Sequence, residues 1–291
     1  MRTLVADARR GHAGLAGFAV VMAGLAAVTL VLMLVDQRTL LDQPLWAKPF
    51  KFSISLALYA FAMAWMLGQL RDRIPRRAGW IMVVTATIEM VFIVGQAARG
   101  VRSHFNDDTP LDTVMFAVMG LTIAVLWFAT LAVAVRFLRE RGRDRAMTLA
   151  IRLGLVVALV GMAVGVVMSV HGAHSVGARD GGPALPLLGW NTLVGDLRPA
   201  HFIGLHALQV LPLVAALLAR RALSEDGRVR IVATLAAGYL AAIVLLVWQA
   251  LRAQPLLAPD GLTLAALAVV VLGVAAGVAS GLRHRASVAL S

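Results

Sequence analysis

Eight stretches of the chain are each apolar for roughly 20 residues, the length a helix needs to cross a hydrocarbon layer of about 30 Å. That repetition constrains the fold more than any other feature. The stretches fall at 13–35, 50–70, 79–100, 112–136, 149–172, 199–219, 229–251 and 262–282. Of the 291 residues, 60% are hydrophobic and 14% charged, whereas a soluble domain carries about 25% charged residues. One water-facing domain cannot hide that excess. The sequence therefore predicts an all-α, polytopic integral membrane protein with eight transmembrane helices. No small-residue cleavage site follows the first stretch before Asp36, so it reads as a retained span and not as a signal peptide.

The net charge of +12 invites a nucleic-acid reading, but topology accounts for it. With the N-terminus in the cytoplasm, 19 of the 27 cations fall inside and 8 outside, the bias that orients short loops in a bilayer. Carboxylates divide the other way, 6 inside and 8 outside, with Glu89 alone inside a span. The reading is a multi-pass protein of a bacterial inner membrane with both termini cytoplasmic, its partners membrane lipids or a lipophilic small molecule such as a quinone, and no nucleic acid. The absence of cysteine excludes disulfides, iron–sulfur clusters and thiolate chemistry.

Eight spans divide into an N-terminal four-helix half, 1–145, and a C-terminal one, 146–291. Two ordered matches suggest a parallel 4+4 internal repeat. Lys48-Pro49-Phe50-Lys51-Phe52 and Arg198-Pro199-Ala200-His201-Phe202 open the second and sixth spans at an offset of 150; Gln96-Ala97-Ala98-Arg99 and Gln249-Ala250-Leu251-Arg252 close the third and seventh at 153. Thr109-Pro110-Leu111-Asp112 reads as a cap, a first-turn proline and an acidic third residue. Gly161-x-x-x-Gly165 and Gly273-x-x-x-Gly277 read as helix packing. The loop 175–198, rich in glycine and apolar around Leu185-Pro186-Leu187, is long enough to fold back as a lid.

Five of the seven histidines, His104, His171, His174, His201 and His206, fall toward the outer side, while His12 and His284 sit in basic tails and read as solvated. Imidazoles from two neighbouring helices, an apolar surround and nearby cations are what a b-type haem needs. His171 and His206 are the expected axial ligands, with His201 or His174 as substitutes. Arg99, Arg102, Arg198, Arg252, Lys48 and Lys51 supply propionate or anion contacts, and Gln209 and Gln249 supply amide donors. Glu89 and Gln96 are the expected catalytic pair: on an ideal helix Glu89, Gln96, Arg99 and Ser103 share a stripe that suits a proton route or a quinone head. Glu89 is expected far in depth from the histidines. The favoured reading is a quinol-linked membrane cytochrome or redox enzyme. The alternatives are a metal-dependent lipid enzyme, its divalent ion on His171, His174, His206 and His104, and a transporter or lipid-binding protein without a cofactor. The bland reading of each of these five histidines is a bond to a backbone carbonyl or a contact with lipid headgroups.

Overall fold

The protein is described from a computed structural model that covers residues 2–70, 73–140, 142 and 144–284. It is helical apart from two short hairpin ladders. In chain order the elements are α1 (Arg2–Gly11), α2 (Ala13–Val35), β1 (Thr39–Leu40), β2 (Gln43–Pro44), α3 (Ala47–Leu67), α4 (Arg73–Arg99), α5 (Pro110–Arg139), α6 (Arg145–His171), β3 (Ser175–Val176), β4 (Gly195–Asp196), α7 (Arg198–Leu218), α8 (Glu225–Leu251) and α9 (Gly261–Leu282). The eight helices α2 to α9 are long and apolar enough to cross a membrane. Several begin earlier than the apolar windows, because capping side chains and not hydropathy set the first turn. Asp144 accepts from Met147 N at 2.9 Å, Ser224 from Gly227 N at 3.1 Å and Asp260 from Thr263 N at 2.8 Å. The expected cap of α5 forms: Thr109 Oγ1 accepts from Asp112 N and donates to Asp112 Oδ2 at 2.6 Å.

The chain resolves into two compact units, the first running to Val133 and including Asp180–Asn191, the second holding Ala134–Arg179 and the chain from Thr192 onward. In the first, α3 packs against α1, α2 and α4. The short α1, too polar to register as a span, meets α2 at His12. That histidine is buried, 5% exposed, which corrects its reading as a solvated tail residue. Its Nδ1 accepts from Leu15 N at 3.1 Å and its Nε2–H donates to Arg76 O at 3.0 Å, so the ring caps α2 and ties it to the start of α4. Burial pushes its pKa below the ordinary value. Gly11 allows the elbow: a Cβ there would stand 2.0 Å from Ala64 O.

Between α2 and α3 the hairpin pairs Thr39 with Pro44 and Leu40 with Gln43, and its two central residues, Leu41 and Asp42, have φ of +52° and +59°. Two left-handed residues are what a tight two-residue turn demands. Below it Asp36 accepts from Trp46 Nε1 at 2.7 Å and from the Arg38 guanidinium, which together hold its carboxyl well below the usual carboxylate range. Residues 180–191 lie beside this hairpin. Ala184 bridges Asn191, Gly182 N donates to Asp42 Oδ2 at 3.0 Å, and Lys51 Nζ donates to Leu188 O at 2.7 Å.

In the second unit α6 and α7 approach closely along small residues. A Cβ on Gly161 would lie 2.5 Å from Gly204 Cα, and one on Gly154 would lie 3.0 Å from Ala207 O. Gly161 thus packs as its spacing predicts. Gly277 packs against Thr234, but Gly273 meets nothing within 4 Å. The ladder of Ser175 with Asp196 and Val176 with Gly195 closes the α6–α7 connection, and Leu197 N donates to His174 O at 3.0 Å.

Candidate functional site

Local turn chemistry brings a site together in the first unit. Helix α4 ends at Arg99, and Gly100 follows at φ +75°, the left-handed stop that glycine tolerates. Val101 N returns to Gln96 O at 3.0 Å. Asn106, 1% exposed, then bonds Arg102 O through Nδ2 and accepts from Asp108 N. The connection to α5 is therefore folded inward with its polar groups satisfied from within.

His104 rides on that connection and reaches back beside α4, its Nε2 3.6 Å from Glu89 Oε1. Glu89 lies ten residues before Arg99, about 15 Å along an ideal helix. The expectation that Glu89 lies far from every histidine is thus corrected: depth along a helix does not bound where a re-entrant connection goes. Glu89 is 1% exposed, and its Oε2 has no hydrogen-bond partner among the described residues. The imidazole sits among Phe52, Phe105 and Phe116, with ring centroids at 5.9, 6.2 and 6.0 Å, and Ser103 Oγ lies 3.2 Å from its Nδ1. Lys48 Nζ stands 5.7 Å from the Phe52 centroid, and its charge acts on Glu89. A charged carboxylate inside an apolar bundle is costly unless donors or cations face it. Here one carboxyl oxygen has an imidazole beside it, and the other has no hydrogen-bond partner among the described residues. Such a group can take or give a proton with little rearrangement.

Beyond this pair the polar stripe of α4 is a structural buckle. Gln96, fully buried, donates to Asp112 Oδ1 at 2.7 Å, and Arg99 Nη1 bonds the same oxygen at 2.7 Å and Gln96 Oε1 at 2.5 Å. Gln96 is therefore a tie between α4 and α5. The second unit also has an Arg–Asp pair at the end of a helix, but its glutamine bonds backbone carbonyls and not the aspartate. Gln249 Nε2 donates to Pro255 O at 2.7 Å, Arg252 pairs with Asp260 and bonds Thr263 Oγ1 at 3.2 Å, Ala253 takes a positive φ of +55° and Gln254 N returns to Gln249 O at 3.2 Å. The Arg252 guanidinium holds the Asp260 carboxyl below the usual range.

The remaining expected ligands are engaged in the fold. Arg102 pairs with Asp108 at 3.5 Å and Arg198 with Asp196 at 2.5 Å. With Arg99 on Asp112 and Arg252 on Asp260, each arginine expected to hold an anion is already committed to an aspartate. His171 is exposed, with Nε2 3.0 Å from Ser175 O, and His201 Nδ1–H donates to Gly161 O at 2.8 Å. Both match the carbonyl-bonding reading. His206 packs on Phe202 at 4.6 Å, one turn from Gln209, whose Oε1 is buried without a partner among the described residues. No three His, Asp or Glu side chains among the described residues form a group that could hold a metal ion. These donor sets do not fit a haem or a divalent ion as they stand.

Sequence reasoning named Glu89, His104, Lys48 and Ser103 without pairing Glu89 with His104, read Asp112 only as part of a cap, and missed Phe105 and Phe116. The signal for the connection's path is Gly100, a helix stop that turns the chain back. Comparison with known proteins finds no matching family model, no similar curated protein and no similar solved structure.

Proposed function

We propose that this chain is a multi-pass protein of a bacterial inner membrane, with both termini cytoplasmic, that handles a lipophilic molecule with a polar head, of which a quinol is one kind, by exchanging a proton through Glu89 and His104. The observation that carries the reading is the Glu89–His104 pair: a buried carboxyl with one oxygen 3.6 Å from an imidazole that sits among three phenylalanines, and the other oxygen without a hydrogen-bond partner among the described residues. His104 retains partial exposure, 21% against 2% for the Glu89 side chain, and so serves as the intermediary between the aqueous side and the buried acid. Lys48 contributes the compensating charge when the proton leaves. The Arg–Asp pairs that follow Gln96 and Gln249, Arg99 with Asp112 and Arg252 with Asp260, support descent from a duplicated four-helix unit. At the 153 offset the second unit has Ala242 and Leu257 in place of Glu89 and His104, so only the first half keeps the proton site.

Infrared difference spectroscopy of the purified protein across a pH step tests this directly. The expected result is a carboxyl stretching band that shifts in deuterated water, is missing in Glu89→Gln and moves in His104→Ala. A band unchanged in both variants overturns the reading.

The competing proposal is a b-type haem between α6 and α7, which draws on His206 and Gln209 sharing one face of α7. It requires His171 or His201 to release a backbone carbonyl. A reduced-minus-oxidised absorption spectrum decides it, since a b-type band lost in His206→Ala establishes the haem and a colourless protein removes it.

A further inference from the structure

The second unit has a cavity of about 410 Å³ at the C-terminal end of α5 and the N-terminal ends of α6 and α8. Leu149 and Val229 make an apolar wall, and Glu140, Arg145, Thr148 and Arg152 supply its polar lining. Two of the three charged groups that line the cavity, Glu140 and Arg145, are ion-paired. Glu140, the single acid of the lining, is held by Arg136 at 3.1 Å. Arg145 bonds Asp226 at 2.8 Å, and Arg228 bonds Asp144 at 2.7 Å. Arg152 differs. It donates from Nε to Phe137 O at 2.9 Å and from Nη2 to Glu140 O, closing the end of α5, and no carboxylate neutralises it among the described residues.

A guanidinium has five N–H donors, so three of Arg152's are left beyond the two carbonyl bonds. A charged group beside an apolar wall at the end of spanning helices matches one ligand chemistry, a phosphodiester whose glycerol and acyl parts leave along the apolar side. We propose that this cavity binds the headgroup of an anionic phospholipid, with Arg152 as the phosphate contact. The site rests on the reading of the helices as spans and on nothing in the Glu89 site. The partners of Arg145 and Glu140 keep the lining from collapsing onto Arg152, and the Thr148 hydroxyl, spent on Asp144 O at 2.8 Å, leaves the guanidinium as the recognising group.

The test is native mass spectrometry of the full-length protein released from detergent, titrated with phosphatidylglycerol, phosphatidylcholine and inorganic phosphate. Retention of phosphatidylglycerol over phosphatidylcholine is expected, falling about tenfold or more in Arg152→Gln, in line with loss of a charge-assisted phosphate bond. Because Arg152 also closes α5, Val229→Glu serves as the second variant. It leaves the guanidinium bonds in place, sets a carboxylate in the cavity and is expected to reduce phosphatidylglycerol retention to a similar degree. Equal retention of the two lipids, retention untouched by both variants, or equal capture of inorganic phosphate overturns the proposal. If the chain enters solution without detergent, the reading of the helices as spans fails instead.

Discussion

Among single residues, His12 carries the clearest pH dependence. Its neutral ring accepts at Nδ1 and donates at Nε2, so a second proton puts an N–H against the Leu15 N–H and destroys the cap. Burial is the largest cause of its lowered pKa, and the charge of Arg76 adds to it. Between the folded value and the ordinary 6.5 the unfolded chain binds more protons, so stability rises with pH across that window. The contribution is complete above the ordinary value and lost as pH falls through the folded one. Thermal unfolding in detergent is expected to show this loss as pH falls below the ordinary value of 6.5. In His12→Asn, which keeps a capping side chain, the slope is expected to flatten; an unchanged slope assigns the pH dependence elsewhere. Glu89 and His104 show the limit of reading residues from position alone. Their chemistry is legible in the sequence, because an acid inside a span must answer for its charge. Their pairing is not, because it depends on the path of the connection at 100–109.

At the scale of elements, the helices follow from apolar length and caps, whereas their partners follow from where a side chain is missing. Gly161 and Gly204 touch backbone to backbone, so Gly161→Val is expected to cost about 3 kcal/mol or more through overpacking that rigid backbone cannot relieve. Gly17 of α2 meets nothing within 4 Å, and Gly17→Ala is expected to stabilise by about 0.5–1 kcal/mol through helix propensity. Unfolding in a graded denaturing detergent compares the two; if both substitutions behave alike, the α6–α7 contact is not the close approach described. Sequence spacing identified Gly161-x-x-x-Gly165 and Gly273-x-x-x-Gly277 equally. Gly273 nevertheless faces no neighbour, because a spacing pattern states that a helix can be approached closely and not that a partner is there. The arginines teach the same lesson. Arg99, Arg102, Arg198 and Arg252 look like anion contacts until the aspartates that bind them, Asp112, Asp108, Asp196 and Asp260, are seen across turns and connections.

For the whole molecule, the asymmetry of charge predicts orientation, and the absence of cysteine makes the prediction simple to check. In Asp108→Cys, whose parent side chain is 65% exposed, a membrane-impermeant thiol reagent is expected to label intact cells. In Arg221→Cys, also at an exposed position, labelling is expected only after the membrane is opened; the reverse pattern inverts the topology, and labelling of both in intact cells removes it. What the sequence determined by itself is what depends on one-dimensional sums and short-range chemistry: eight apolar helices, the cap at Thr109 and the acid in the middle of an apolar helix. What only the tertiary structure decided is which polar groups spend their hydrogen bonds on one another. Apolar length is a property of a segment, but the pairing of Glu89 with His104 and the bonds of His171, His201 and the arginines depend on where a turn such as Gly100 or the Ser175–Asp196 ladder sends the chain. Buried polar groups in an apolar bundle bond whatever partner the chain brings within reach, and among the described residues no turn brings one to Glu89 Oε2.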